Sequence, residues 1–248
     1  MISLTQRAVT LPSSLTRFFV RSVLLCAVLI SHPSFAAQSN EDAYSATAVA
    51  DALAALDAQA LDDRWFFTLW IDHEGEERVV RSDPREAPAA RRTLVSIEGR
   101  PATEAERNAF RAEEEQRIAE EAEERGFTHL VDIDSLNLLG VESHMAEYAF
   151  VPVIPKLEKA NDSLRGKLVL DGQSGSIRSI DVFNVEEFSP AISVSVEHFL
   201  LRFEFADNDG HNLLALTESR TRGKLAYVKK FDSTTRIRFG EYKALGQK

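Results

Sequence analysis

The stretch Ser189–Phe205 limits the possible folds more than any other part of this chain. Apolar side chains alternate through it at strand period, but the phase changes partway. Ile192, Val194 and Val196 share one parity; Phe199, Leu201, Phe203 and Phe205 share the other. Successive side chains on a strand point to opposite faces, so one regular strand cannot place both sets on the same side. A β-bulge, one extra residue, returns them to a common face and bends the strand. The stretch therefore reads as a long strand wrapped around a curved sheet.

The flanking sequence supplies that sheet. Phe127, His129, Val131 and Ile133 alternate as one strand face, and Tyr148–Ile154 is apolar on both parities, as in a strand covered on each side. Leu164–Leu170, the turn Asp171-Gly172-Gln173-Ser174-Gly175 and Ser176–Val185 form a predicted hairpin. Asn208-Asp209-Gly210 turns the long strand into three more, near His211–Thr221, Lys224–Phe231 and Thr235–Tyr242. Upstream, Trp65, Phe67, Leu69 and Ile71 mark one face of a strand that turns at His73–Glu76 and returns over Glu77–Arg81. Asp83–Ala90, with Pro84 and Pro88, is a loop before a short strand at Arg92–Glu98. Roughly eight to ten antiparallel strands cannot stay flat; they curl or close.

Two helices complete the pattern. Ala50, Leu53, Ala54, Leu56, Ala60 and Leu61 lie near helical spacing within Glu41–Leu61. Thr103-Glu104-Ala105-Glu106 is a capping box, which starts a Glu- and Arg-rich helix running to Arg125 and stopped by Gly126. Its apolar stripe is thin (Ala105, Ala109, Ala112, Ile118, Ala119 and Ala122), which places it on the surface, solvated and held by Glu–Arg pairs. The fold class is thus α+β: a large curved antiparallel sheet, an unclosed half-barrel, with an N-terminal helix and one long acidic helix near residues 104–125.

At the N-terminus, Arg7, Arg17 and Arg21 precede the apolar run Ser22–Ile30, followed by Ser34-Phe35-Ala36. This is the pattern of a secretory signal peptide, residues 1–36, cut between Ala36 and Ala37 to leave one domain over residues 37–248. A membrane span would need about 18 uninterrupted apolar residues; Arg21 limits the run, so the cleaved chain is not expected to span a membrane. Lipidation at Cys26 would need a small residue where Leu25 stands. Removing the leader removes the one cysteine, Cys26, which excludes disulfides, thiolate metal sites and cysteine catalysis. The formal charge is −10, and more negative without the leader arginines, which argues against nucleic-acid binding. The expected compartment is the bacterial periplasm.

No motif carries a reaction. Asp132 and Asp134 sit two apart on the predicted strand and project from one face, a spacing that can share a proton or bind a hard cation, but the alternation with Val131 and Ile133 also describes a strand with one wet face. His129 falls on the apolar parity, His73 lies in a turn, and His144, His198 and His211 lack metal-ligand spacing. Gly172-Gln173-Ser174-Gly175 is not a nucleophile elbow, and Asp207-Asn208-Asp209-Gly210 lacks the other ligands of a calcium loop. No catalytic residue, metal or cofactor is assigned. The aromatics Trp65, Phe67, Phe199, Phe203 and Phe205 are the candidate ligand-binding residues: on a curved sheet their face is either ordinary core or the lining of a concave pocket. Alanine-rich helices leave room beneath them for the second.

The apolar run near the N-terminus, the helix leading into Trp65–Ile71, the Leu164–Val185 hairpin with its Asp171-Gly172 turn, and the closing segment Thr234–Tyr242 together resemble the periplasmic lipoprotein-carrier (LolA/LolB-like) superfamily. That resemblance implies an unclosed β-barrel with helices across its mouth. Relatives of this kind hold acyl chains or lipoproteins in the cavity; others use the fold to sense envelope components or bind protein partners. The expectation is a non-catalytic carrier of a hydrophobic ligand, either an acyl chain or a lipoprotein. The alternative is an interaction or sensing module in cell-envelope assembly, with the Glu-rich helix as its docking surface.

Overall fold

A computed structural model describes residues 42–59, 61–121, 126–154, 157–226 and 229–246; the expected leader, with Cys26 and the Ala36–Ala37 junction, lies outside the described residues. The strands are β1 (Trp65–His73), β2 (Glu76–Ser82), β3 (Arg92–Ile97), β4 (Arg100–Pro101), β5 (Asn137–Glu142) and β6 (Met145–Phe150). They continue with β7 (Leu164–Asp171), β8 (Ser176–Asn184), β9 (Phe188–Ala191), β10 (Val194–Asn208), β11 (His211–Leu225) and β12 (Lys229–Ala244). All belong to one sheet of 12 strands in the order β4-β3-β2-β1-β12-β11-β10-β8-β7-β6-β5, with β9 beside β10. The pairs are antiparallel and the two ends do not join, so the sheet is curved and unclosed. The last strand, β12, lies between β1 and β11 and stitches the N-terminal meander to the C-terminal one.

The phase shift falls where the alternation placed it. The β10–β11 register slips between Val196 and His198, leaving Glu197 as the extra residue. Val194, Val196, Phe199, Leu201 and Phe203 are consequently all buried. The lone pairing partner at this step is Gly223, where a Cβ would come within 2.0 Å of the Ser195 carbonyl oxygen; only glycine permits the approach. A second slip, between Glu204 and Phe205, leaves Ala215 as the extra residue of β11 and sets Leu214 opposite Phe205, with both buried.

The sequence reading changes in several places. The expected strand Tyr148–Ile154 ends at Phe150, and Val151 and Val153 beyond it are exposed and not covered on both sides. Ser189–Phe205 is two strands, broken by a turn at which Ile192 is 96% exposed; Pro190, which has no N–H to donate, sits in the short β9. The Lys224–Phe231 segment is the junction of two long strands, β11 and β12, so two strands follow Asn208-Asp209-Gly210 where three were expected. Phe127–Ile133 is not a strand: it forms 3-10 turns at Phe127–His129 and Ile133–Ser135, and only Val131 makes a bridge, to Pro152. Asp132 therefore does not pair with Asp134 on one strand face; its Oδ1 accepts the Asp134 N–H at 3.1 Å and caps the second turn.

The two faces of the sheet differ in kind. One is apolar and forms the core. The other carries charges that alternate from strand to strand: Asp72 stands beside Arg236, Arg236 beside Glu218, and Glu218 beside Arg202. Arg202 then meets Asp181 at 2.8 Å, Asp181 stands beside Lys167, and Lys167 meets Glu147 at 2.7 Å. Opposite charges directly across strands favour this register over a slipped one.

The helices lie over the apolar face. Helix α1 (Ala46–Asp57) starts at Ser45, whose hydroxyl accepts the Ala48 N–H at 3.1 Å, and buries Val49, Ala52, Leu53 and Leu56. A short turn, α2 (Leu61–Arg64), leads into β1. Helix α3 (Glu104–Glu121) packs on β3. Its buried side is not the alanine stripe, since Ala105, Ala109 and Ala112 are exposed; it is Phe110, Glu114 and Arg117, one helical face at i, i+4 and i+7. Arg117 donates to both Glu114 carboxylate oxygens, at 2.8–3.1 Å, and buried Arg92 of β3 lies 3.9 Å from the same carboxylate. The charged residues are drawn inward because Arg92 waits there. No described helix is long and apolar enough to cross a membrane.

The capping box forms as read. Thr103 Oγ1 accepts the Glu106 N–H, and Glu106 accepts the Thr103 N–H at 2.8 Å while holding both Arg100 guanidinium nitrogens, at 2.5 and 2.9 Å. The Arg100 pairing, helped by the Thr103 donors, holds the Glu106 carboxyl down to about 2. A depressed folded-state value means that the cap's contribution is complete above the ordinary value near 4.5 and is lost as pH falls toward 2. Urea unfolding of wild type and Glu106→Gln at stepped pH should show a stability gap that is constant above pH 4.5 and closes toward pH 2; a gap independent of pH would mean that the charge does not anchor the cap.

Candidate functional site

Over β8 and β10 the apolar face is covered by one small assembly. Helix α1 approaches the sheet most closely at β8, and the Phe127–His129 turn lies against α1. The Phe127 ring stands edge-on to both Phe203 and Phe205, with centroids 5.2 Å from each. Asp57, at the last position of α1, joins the two pieces: Oδ1 accepts the Phe127 N–H at 2.6 Å, and Oδ2 accepts the Thr128 N–H at 3.0 Å and its hydroxyl at 2.6 Å. A carboxylate in a helix's last turn opposes the helix dipole, so these three donors supply the compensation. The preceding Gly126 has φ +104°, and a Cβ there would meet Asp57 Oδ2 at 2.6 Å. Helix α1 and Phe127 therefore behave as one cover. Its leading end is held by Tyr148, whose hydroxyl donates to the Tyr44 carbonyl at 2.9 Å.

The five candidate aromatics are all buried, and the fold distributes them over three places. Phe203 and Phe205 sit together beneath Phe127. Phe199 lies farther along β10, edge-on to Phe188 at 6.3 Å. Trp65 and Phe67 of β1 gather around Tyr242, at 6.1 and 5.7 Å, with His211 5.0 Å from Trp65 and Phe239 6.1 Å from Phe67. They share one face of the sheet and do not share one pocket wall.

Between the aromatics of β1 and those of β10 the same face changes character. Thr217, Ser219 and Thr221 of β11 and Thr235 of β12 are buried at 4–7% exposure, and half-buried Ser233 continues the row. Ser219 stands beside Thr235 and Thr221 beside Ser233 in the β11–β12 register. His73 Nδ1 lies 2.8 Å from Thr235 Oγ1, whereas Thr217 Oγ1 is buried without a hydrogen-bond partner. This band was missed in the sequence, although its parity is visible against the charged Glu218, Arg220 and Arg222 that alternate with it.

His129 is exposed, and His144 Nε2 is 3.8 Å from Asp171, which already accepts from Arg178 and two turn amides. Among the described residues no three His, Asp or Glu side chains group as a metal site. A concavity of about 570 Å³ on the charged face is lined by Trp70, Glu204, Leu216, Arg236 and Arg238, and Arg238 lies over the Trp70 ring at 5.6 Å. That lining is too polar for an acyl chain. No protein-family profile, curated protein or solved structure matches the chain.

Replacing Asp57 with Ala leaves the Phe127 and Thr128 amides without their acceptor. A hydrogen bond to a charged group is worth about 1.5–3 kcal/mol. Hydrogen exchange at α1 and at residues 127–128 should therefore speed up by tenfold or more, while exchange in β7 and β8 stays as in wild type. Equal acceleration across the sheet would show that Asp57 supports the whole core and not the cover alone.

Proposed function

We propose that this protein is an exported, periplasmic carrier that binds the acyl chain of a lipid or lipoprotein on the apolar face of its open sheet, without chemistry. The observation that carries the reading is the cover: a wide apolar face, rich in aromatics, is closed over β8 and β10 by one short alanine-rich helix and one phenylalanine, tied to each other by a single carboxylate. Swinging α1 and Phe127 aside uncovers Phe203 and Phe205 together. An acyl chain would then replace the apolar contacts that the cover made, at about 0.8 kcal/mol for each buried CH₂. The likeness to lipoprotein carriers in the order of helix, strands and hairpin supports the same reading.

The test is displacement of a fluorescent apolar dye by palmitic acid, together with native mass spectrometry of the protein purified from the periplasm. Wild type should bind palmitate with a micromolar Kd. Phe203→Asp should lose at least a hundredfold, and Phe127→Ala, which thins the cover, should bind and release faster. A folded Phe203→Asp protein that still holds palmitate would remove this face from the function.

One observation favours a second reading, contact with another protein chain. Among the described residues nothing pairs with the outer edge of β5, where Leu138, Leu139 and Val141 are 46%, 55% and 44% exposed. The opposite edge, β4, is blunted by its two-residue length and Pro101. Because the register slips between Leu138 and Gly140, Leu138 and Val141 lie on one face, opposite Tyr148 and Ala146. An antiparallel second copy could therefore set Leu138 against Val141 twice. Sedimentation of wild type should show a monomer–dimer equilibrium in the micromolar range that Leu138→Lys abolishes; a wild type that stays monomeric at high concentration would exclude it.

A further inference from the structure

The apolar face carries polar side chains at Arg78, Ser82 and Arg92 of β2 and β3 and, as a continuous row of hydroxyls, on β11 and β12. Thr217 interrupts an otherwise apolar run of cross-strand neighbours, with Ile237 and Ile71 on one side and Phe203 and Ile180 on the other. Threonine and serine suit a strand at its wet face, where water completes their hydrogen bonds. Here Thr217, Ser219, Thr221 and Thr235 point to the inner side at 4–7% exposure. Burying a hydroxyl is unfavourable unless it finds a partner. Thr235 has His73, but Thr217 Oγ1 has none. Thr217 itself pairs regularly with Phe203 and Ile237, two residues from the β11 slip at Ala215, and valine would fill the same volume at no polar cost. A feature that is locally unfavourable and structurally unnecessary is most simply explained by function.

The chemistry of the band limits what it would hold. It offers hydroxyls, each able to donate and accept, and the ring beside it, His73, is engaged with Thr235 at 2.8 Å. The inward-facing arginines nearest it on the β1–β3 side are already engaged: Arg78 pairs with Glu76 at 2.5 Å and lies 3.9 Å from Glu113, and Arg92 faces Glu114. A phosphate or carboxylate buried there would lack a counter-charge, and burying an unpaired charge is far more costly than burying a neutral polar group. Esters, amides and alcohols match it instead. The band also lies between two apolar regions, Phe199, Leu201 and Phe203 of β10 on one side and Leu69 and Ile71 of β1 on the other. That is the layout for a chain whose uncharged polar linkage sits at its head or partway along.

We infer that β11 and β12 form a head-group subsite, in which Thr217, Ser219 and Thr221 hydrogen-bond the uncharged ester-and-hydroxyl head of an acylglycerol. The inference rests on the acyl-carrier reading and narrows it from acyl chains in general to neutral ester-linked lipids. In the bound state Thr217 Oγ1 donates to the ester carbonyl, while Ser219 and Thr221 face the glycerol hydroxyls.

The experiment compares 1-monopalmitoylglycerol with palmitic acid, which share the hydrocarbon chain and differ in the head. Wild type should prefer the monoacylglycerol by tenfold or more. Thr217→Val, which keeps the shape and removes the hydroxyl, should cut that preference at least threefold, leave palmitate affinity within twofold, and raise the melting temperature. The Thr217→Val/Ser219→Ala/Thr221→Val variant should abolish the preference. If wild type binds both probes equally, the subsite is wrong while the carrier reading stands. If it binds neither, the carrier reading fails and the subsite with it. Preference retained in both variants, or a lower melting temperature in Thr217→Val, would overturn the subsite by showing that the hydroxyl serves the fold.

Discussion

The structure depends on one extra residue. Glu197 interrupts the alternation of β10, and without it either Val194 and Val196 or Phe199, Leu201 and Phe203 would face solvent. The slip is accommodated by Gly223 across from Val196, whose missing Cβ lets the strands close. It is also marked by charge: Lys224 Nζ holds the Glu197 carboxylate at 2.5 Å, and this bond draws the carboxyl below and the ammonium above their ordinary values. Because β10 pairs with β8, β9 and β11, the bend at this step carries into the middle of the sheet. The curvature that gives the sheet an inside is thus a local event with long-range consequence.

Curling creates an inside, and the outside then has to keep the strands in register without help from a second sheet. The alternating row from Asp72 to Glu147 does this cheaply. Exposed pairs such as Lys167–Glu147 contribute little to stability, in the range of about 0–1 kcal/mol each. A one-residue slip of any strand, however, would turn its inward apolar side chains outward and break the charge match as well. The row therefore specifies the arrangement more than it strengthens it. It also shows how a chain of net charge −10 holds cations on its C-terminal strands: Arg236 stands next to Asp72 and Glu218 on neighbouring strands, and Arg238 lies over the Trp70 ring.

What could be read in the sequence follows the same division. The bulge was legible because a one-residue phase change leaves a mark in a period-two pattern, and the start of α3 because Thr103 and Glu106 satisfy each other locally. The Phe127–Ile133 segment was not, because its alternation imitates a strand while its conformation is decided by Asp57 from another element and by Asp132 capping a turn. The buried face of α3 was hidden for a related reason: Glu114 and Arg117 look solvent-facing until Arg92 is known to lie beneath them. For the candidate site, the identity of the buried aromatics was readable, but not their separation into three groups. The signals that went unused were an aspartate in the last turn of α1 and a run of hydroxyls in phase with an apolar face.

These features divide the molecule into a frame and a cover. The frame is the sheet, whose backbone ladders run through every strand and whose register is written on its outer face. The part we propose to move is α1 with Phe127: Asp57 ties the two to each other, while Tyr148 and the core packing of Val49, Ala52, Leu53 and Leu56 tie them to the frame. Local opening is least costly where attachments are few and confined to one element. Lifting the cover would break a small, defined set of bonds and leave the ladders intact. A protein that only needed a closed core would gain by spreading those attachments and by placing valine at Thr217. On the carrier reading we propose, the inner face is exposed and occupied when that cover lifts.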